Sequence, residues 1–306
     1  MEILIYGFGR MGITHYSILN GILPNANFTF VEPNKLLNFI SKKNINGNFL
    51  TSDKKLKKSF DLTLITTPPF IHNELAKRCL KRGDKAIFIE KPFGGHSNFS
   101  LDFEANNIFI GYVLRFNPIV DWVKKNVNPN DVLECSAKYL SNTLEKKPKS
   151  WRNGPYSGVL NEIGSHVLDM INYLFDIEDF KIETSAIKSI ISDVDDEVKI
   201  SLFSKKRTFD FYFNWVDKSL RKPVFQISIK LKNNDLITFD QQKVVIKNNL
   251  KEETISVIDL NQDIPFYLRG VDFTRQMQDL TNKREFMCNL DEAITINKLM
   301  KEVIER

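Results

Sequence analysis

Near the N-terminus a short apolar run, Ile3-Leu4-Ile5-Tyr6, stops at Gly7-Phe8-Gly9-Arg10-Met11-Gly12, and no other feature narrows the possible folds as much. The run lacks polar alternation, as a strand buried on both faces of a parallel sheet does. Residues 10–20 then place apolar side chains at Met11, Tyr16, Ile18 and Leu19, which predicts a helix. Strand, glycine turn and helix in succession have a physical use. Gly7 permits a tight turn, Gly9 lets the backbone approach a ligand, and Gly12 allows close packing of helix on strand. The helix N-terminus offers N–H groups and partial positive charge, which suit phosphate. Glu32 follows the second predicted strand, Phe28-Thr29-Phe30-Val31, about twenty residues past Gly12, where a carboxylate accepts ribose hydroxyls and repels a 2′-phosphate. These residues predict a dinucleotide site with NAD favoured over NADP, a preference that Lys35 softens.

The alternation continues. Asp61–Ile65 reads as a strand, residues 71–82 as an amphipathic helix, and Ala86–Ile89 and Ile108–Ile110 as further strands. Such a pattern predicts a doubly wound parallel sheet over residues 1–117. From residue 118 the pattern changes. A helix near 119–125 and a strand near 132–140 precede a long polar connection to Trp151. A helix over about 160–175 follows, then strands at 180–190, 197–203, 207–215, 223–232, 234–239 and 242–247. Phe225-Gln226-Ile227-Ser228-Ile229-Lys230 alternates apolar with polar, the mark of a sheet with one face buried and one accessible. The chain ends in a helix, with Asn289 as N-cap and Glu292 three residues on. Residues 118–306 are therefore expected to form an α+β domain with a large, mostly antiparallel open sheet, whose accessible face would allow a homodimer or homotetramer.

Composition removes other classes. The chain has 306 residues and a net charge of +5, but its lysines are scattered. The one dense run, Lys54-Lys55-Leu56-Lys57-Lys58, reads as a solvated segment, so no nucleic-acid face is expected. Cys79, Cys135 and Cys288 are odd in number and far apart, which fits small buried hydrophobes in a reducing compartment. No basic n-region precedes an apolar stretch, and no apolar run approaches the roughly 20 residues that span a bilayer, so a cytoplasmic protein without a membrane partner is expected. No cluster of metal ligands is seen, and the 24 phenylalanines read as core.

Two further segments carry chemistry. Thr66-Thr67-Pro68-Pro69-Phe70-Ile71-His72 and Glu90-Lys91-Pro92 follow predicted parallel strands, at the edge where open α/β sheets bind ligands. Thr67, Pro68, His72, Glu90 and Lys91 accordingly join Gly7, Phe8, Gly9, Arg10, Met11, Gly12 and Glu32 as candidate cofactor-binding residues. Gly158–Asp169 forms the second segment. There Glu162 and His166, four residues apart on a helix, share a face, with Asp169 one turn further. A carboxylate beside an imidazole can orient a substrate hydroxyl and move its proton. By itself His166 reads equally as a satisfied core histidine, and Asp169 equally as a helix-fixing residue. His15 and His96 read as structural or surface residues.

Taken in order, these segments make the chain resemble the Gfo/Idh/MocA oxidoreductases, named for glucose–fructose oxidoreductase and inositol dehydrogenase. The resemblance runs through the glycine turn, Thr67-Pro68-Pro69 with His72, and Glu90-Lys91-Pro92. It continues through Gly111–Pro118, Trp151-Arg152 and Gly164-x-His166-x-x-Asp169. It implies that Lys91 and His166 line the catalytic site, with Glu162 standing where the family has aspartate. The stretch from Pro92 to Ile110 is short for a crossover helix, and Ser157-Gly158 replaces a longer glycine run. In the mechanism these residues would support, His166 accepts a hydroxyl proton as hydride leaves, Lys91 holds the developing alkoxide, and Glu162 orients His166 or the substrate. The sequence leaves open which of Lys91 and His166 is the base. Arg115, Asn117, Trp151 and Arg152, with Glu162, His166 and Asp169, are the candidate substrate contacts. The expected function is hydride transfer between NAD and a sugar, sugar nucleotide or polyol. A sensor of the same fold without turnover is the alternative.

Overall fold

Apolar runs bounded by glycine and polar turns become short buried strands. The computed structural model describes residues 1–94, 105–177, 179–260 and 270–306. The chain forms two compact units. Residues 1–94, 105–113 and 270–293 make the first, residues 114–260 and 294–306 the second.

In the first unit, strands β1 (Glu2–Tyr6), β2 (Asn27–Val31), β3 (Asn48–Leu50), β4 (Leu62–Ile65), β5 (Ile87–Ile89) and β6 (Ile108–Ile110) pair in parallel. A two-residue strand, Cys288–Asn289, adds antiparallel to β6, giving the spatial order Cys288–Asn289, β6, β5, β4, β1, β2, β3. Helices α1 (Arg10–Ile22), α2 (Lys35–Asn44) and α3 (His72–Arg82) connect the strands. The register decides where the chemistry falls. Tyr6 stands beside Val31 and Ile65, and Ile65 beside Ile89. The next residues, Gly7, Glu32, Thr66 and Glu90, therefore line one edge of the sheet. Each donates its N–H to a neighbouring strand, Gly7 to Val31, Glu32 to Leu50, Thr66 to Tyr6 and Glu90 to Ile65, all at 2.9 Å.

The aromatic excess has a definite place. Phe8, Tyr16, Phe28, Phe30 and Phe49 form one cluster, with Phe8 edge-on to Phe30 at 4.7 Å and to Phe49 at 5.3 Å. Periodicity did not predict α2, and its packing shows why. Leu36, Phe39 and Ile40 are exposed while Asn38 and Ser41 are buried, the reverse of an ordinary amphipathic helix. Its start is local: Asn34 Oδ1 accepts from the N–H groups of Leu36 and Leu37. Asn38 is drawn inward because its Nδ2 donates to the carbonyls of Glu32 and Leu50. Strand β3 and the helix Val271–Thr281 are likewise additions to the expected elements, the strand because three residues carry no period.

The second unit contains helix α4 (Pro118–Asn126), strand β7 (Val132–Leu140), helix α5 (Ser165–Phe175) and strands β8 (Lys181–Lys188), β9 (Glu197–Ser204), β10 (Arg207–Asn214), β11 (Val224–Leu231), β12 (Leu236–Phe239), β13 (Lys243–Lys247) and β14 (Glu252–Ser256). Eight strands join in the order β14-β13-β12-β11-β7-β10-β9-β8, antiparallel except for the β7–β10 pair. The mixed architecture agrees with the predicted fold class. Ile119 and Val123 of α4, Leu168 and Ile171 of α5, and Phe209, Phe213, Ile227 and Ile229 of the sheet share one core. On the other face Ser136, Lys199, Asp210 and Lys230 meet solvent. The last helix, Leu290–Ile304, begins with the predicted reciprocal cap: Glu292 N–H donates to Asn289 Oδ1 at 3.0 Å, and Asn289 N–H to Glu292 Oε2 at 2.9 Å.

The three cysteines are buried and unbridged, and burial pushes the thiols of Cys79 and Cys135 well above their usual range. His96 and most of the short β5–β6 connection lie outside the described residues. Among the described residues no helix is long and apolar enough to cross a membrane.

Candidate active site

The glycine turn has the geometry that its residues dictate. Gly7 sits at φ +84°, which a side chain would strain, and a Cβ on Gly12 would lie 2.1 Å from the Gly7 carbonyl oxygen. Helix and strand can meet here only as glycines. Gly9 differs, because a Cβ there would meet nothing within 4 Å. Its bareness leaves the backbone open to a ligand. Gly9 is also the N-cap of α1 and supplies no capping side chain. Phe8 contributes through its backbone, since its ring belongs to the aromatic cluster and is 1% exposed. Arg10 is exposed and Met11 half-buried in the first turn of α1.

Glu32 is turned toward this loop. Its Oε2 accepts from Phe8 N–H and its Oε1 from Asn34 N–H, both at 2.8 Å. One carboxylate thus braces both the glycine turn and the start of α2. Each oxygen keeps a second lone pair, so the group can still accept from a ribose hydroxyl. Thr66 Oγ1 lies 2.9 Å from the Tyr6 carbonyl and 2.7 Å from that of Gly7, fastening the β4 end to the turn. Thr67 Oγ1 is buried and, among the described residues, has no partner, an orphan that a bound ligand would satisfy. His72 Nε2 lies 2.8 Å from the Thr67 carbonyl. Burial holds its imidazole below the usual histidine range, against the opposing pull of that carbonyl and of Glu90. A neutral ring therefore donates its Nε2–H and fixes the Thr67-Pro68 segment. Bare turn, helix N-terminus, braced carboxylate and orphaned hydroxyl together fit a dinucleotide.

At the end of β5, Glu90 is buried and Lys91 half-buried, and the Lys91–Pro92 peptide is cis. Glu90 points at His15 of α1 instead of outward, with Oε1 2.5 Å from His15 Nε2. His15, expected as a structural or surface residue, is paired with a carboxylate 75 residues along the chain.

In the second unit the helix of Glu162 and His166 begins irregularly. Leu160–Gly164 is a π-helical turn that runs directly into α5. Wider turns of this kind are frequent at functional sites. Glu162 and His166 are both half-buried and stand either side of the junction where the winding changes. Gly164 is bare because a Cβ there would come within 3.1 Å of the Phe213 ring, so the helix lies close on β10. The entry to the helix is held by Asp195, which motif spacing did not find. Its Oδ2 accepts from Leu160 N–H at 2.7 Å, and Gly158, at φ +102°, leaves the space its carboxylate fills.

Asp196 anchors the same loop. It accepts from the N–H groups of Ile190, Ile191 and Ser192, from the Ser192 hydroxyl and from the Trp215 indole. Burial alone would raise its pKa, but the hydrogen bonds from Ser192, Ile191 and Trp215 outweigh that and hold it below the usual range. A depressed folded-state pKa contributes stability that is present above the unfolded value of about 3.9 and is lost as pH falls through the folded value. Asp196→Ala is accordingly expected to cost about 2–3 kcal/mol at neutral pH. The difference from the unaltered chain should shrink at acid pH, as followed by urea melts between pH 7 and 3. A difference that grew toward acid would overturn the assignment.

The remaining candidates each have contacts within the second unit. Arg115 and Asp169 form a bidentate ion pair, Nε to Oδ2 at 2.8 Å and an Nη to Oδ1 at 2.6 Å, with side chains 1% and 0% exposed. The guanidinium also lies 4.9 Å from the Tyr173 ring centroid. Asn117 caps α4, accepting from Ile119 N–H at 2.9 Å, and donates to the Gln241 carbonyl at 3.1 Å. Trp151 and Arg152 lie in a single 3₁₀ turn, the Arg152 guanidinium 4.9 Å from the indole centroid. Among the described residues no group of three or more His, Cys, Asp or Glu is placed to hold a metal ion.

Comparison with known proteins agrees with this architecture. Residues 1–98 match the oxidoreductase family with NAD-binding Rossmann fold, Gfo/Idh/MocA. A search of curated proteins by sequence finds no match. Among solved structures, levoglucosan dehydrogenase in complex with NADH and levoglucosan superposes with a TM-score of 0.81 at 17% identity, covering 100% of this chain and 96% of that one. UDP-N-acetylglucosamine 3-dehydrogenase from Acidithiobacillus ferrooxidans gives 0.75 at 17% identity, covering 99% and 96%. Myo-inositol dehydrogenase from Corynebacterium glutamicum gives 0.73 at 18% identity, covering 100% and 96%. At such identities the likeness establishes the fold. Over residues 1–98 the chain is similar to the NAD-binding Rossmann domain of that family.

Proposed function

We propose that the protein is an NAD-dependent dehydrogenase that oxidises a secondary hydroxyl of a sugar, sugar nucleotide or polyol, or reduces the corresponding carbonyl. The observation that carries this is the aligned sheet edge: glycine turn, Glu32, the Thr66–Thr67 segment and Glu90-Lys91 follow four neighbouring strands in register. Support for a polyhydroxylated substrate comes from the fold neighbours, which act on levoglucosan, UDP-N-acetylglucosamine and myo-inositol.

NAD⁺, when bound, supplies the hydride acceptor. Gly9 and the first turn of α1 would hold its pyrophosphate through backbone N–H groups, Gly7 and Gly12 allow the tight turn and close packing that present them, and Glu32 would accept from its ribose. Lys91 donates a charged hydrogen bond to the substrate oxygen as it becomes an alkoxide. His166 takes the hydroxyl proton, and Glu162, a methylene longer than aspartate, orients the imidazole or a neighbouring hydroxyl. Arg115 and Asp169 act by holding α5 in place, while Asn117, Trp151 and Arg152 contribute from the surrounding loops. The exposed polar face of the eight-stranded sheet forms a homodimer or homotetramer. Three unbridged cysteines fit a reducing, cytoplasmic setting.

A screen of anhydrosugars, nucleotide sugars and inositols with NAD⁺, read at the NADH absorbance, tests the reading. Turnover on at least one is expected. Tight NADH binding with no turnover across the panel would replace it with a sensor. If Glu32 selects the cofactor, NADH binds about ten-fold or more tightly than NADPH in a fluorescence titration, because a carboxylate repels the 2′-phosphate. The reverse order removes that role.

A further inference from the structure

Glu90 is a buried carboxylate held at both oxygens. Oε1 lies 2.5 Å from His15 Nε2, and Oε2 accepts from the Lys91 backbone N–H at 3.2 Å. Burial of a carboxylate is costly unless partners satisfy it, so these contacts are exacting. His15 is 0% exposed, and its orientation is itself fixed by edge-on packing on Phe88 at 5.2 Å and a tilted contact with Phe273 at 6.1 Å. Opposite the carboxylate stands Gly111, where a Cβ would come within 3.4 Å of Glu90 Oε2 and 2.8 Å of the Phe88 ring. The fold thus reserves space for this group.

The chain of contacts joins two functional parts. His15 lies on α1, whose first turn carries the glycine loop, and Lys91 begins where β5 ends. We propose that His15 and Glu90 are positioning residues that fix the Lys91 backbone relative to the cofactor-binding helix. The inference rests on the reading of Lys91 given above. In this role His15 holds Glu90, Glu90 holds the Lys91 N–H, and the lysine side chain starts from a set point. Misplacement of a reacting group by about 1 Å can cost around 100-fold in rate, so such bracing has kinetic weight.

Amide hydrogen exchange of the full chain with NADH, resolved to single residues by NMR, tests the bracing without a substrate. In His15→Leu the Lys91 amide is expected to exchange about ten-fold faster, while the amides of β1 keep their rates. His15→Gln, whose amide nitrogen can stand in for Nε2, should return the Lys91 rate to within about two-fold of the original. Unchanged exchange at Lys91, or equal acceleration in β1, would overturn the inference, since the first shows no bracing and the second only lost stability. If His15→Leu does not fold, Glu90→Leu in the same experiment carries the same expectation. On the panel sugar turned over fastest, His15→Leu should lose about ten-fold in kcat with NADH affinity within two-fold, and His15→Gln should recover most of it. Failure of the Lys91 reading looks different: Lys91→Ala would keep full turnover while the exchange result stands.

Discussion

Lys91→Ala is expected to lower kcat by about 10²–10³-fold, the range seen when a single donor to a developing oxyanion is removed. NADH affinity should change by no more than a few-fold, because the proposed phosphate and ribose contacts are backbone N–H groups and Glu32. His166→Ala should fall as far, within the 10²–10⁴-fold range of a positioned general acid or base. The two losses should not multiply in the double variant if both residues act on one oxygen and its proton. Stopped-flow measurement of NADH formation, with NADH binding followed by fluorescence, checks all three variants. Undiminished turnover in both single variants would defeat the mechanism. Lost turnover with equally lost NADH binding would move Lys91 into the cofactor site alone.

The second large effect is on stability. Asp169→Ala removes one partner of a bidentate ion pair whose side chains are 1% and 0% exposed, leaving Arg115 charged inside the second unit. Truncating a buried pair on one side costs about 3–5 kcal/mol, because the buried guanidinium loses the carboxylate that accepts from both its Nε and an Nη. Replacing both members by apolar residues of similar size, Arg115→Met with Asp169→Leu, should recover much of that, since neither desolvation penalty then remains. Urea unfolding of single and double variants measures the difference. A loss below about 1 kcal/mol for Asp169→Ala, paired with a raised KM, would return Asp169 to the substrate-contact role expected from its motif.

These cases mark what a linear reading can reach. The glycine turn, Glu32 after the second strand, Lys91 after β5, and the Asn289–Glu292 cap were all legible. Each is local: a strand's apolar run, a turn's glycines or a helix's first four residues hold their meaning within a short window. The broad division into a parallel α/β part and a mostly antiparallel α+β part was legible for the same reason. Helix α2 was hidden because Asn38 faces inward to donate to two carbonyls while Leu36, Phe39 and Ile40 face out. At the π-helical turn before α5, the Leu160 N–H is received by Asp195, 35 residues later, a partner no local window contains.

By itself, then, the sequence determined the elements and the chemical types that end them: glycines where a backbone must be bare, a carboxylate after β2, a lysine after β5. Tertiary structure alone decided the pairings. Glu90 faces His15, 75 residues away, and Arg115 is spent on Asp169, 54 residues away. The physical reason is that buried charges are satisfied by whichever partner folding delivers, and that partner is set by sheet register and helix packing, not by distance along the chain.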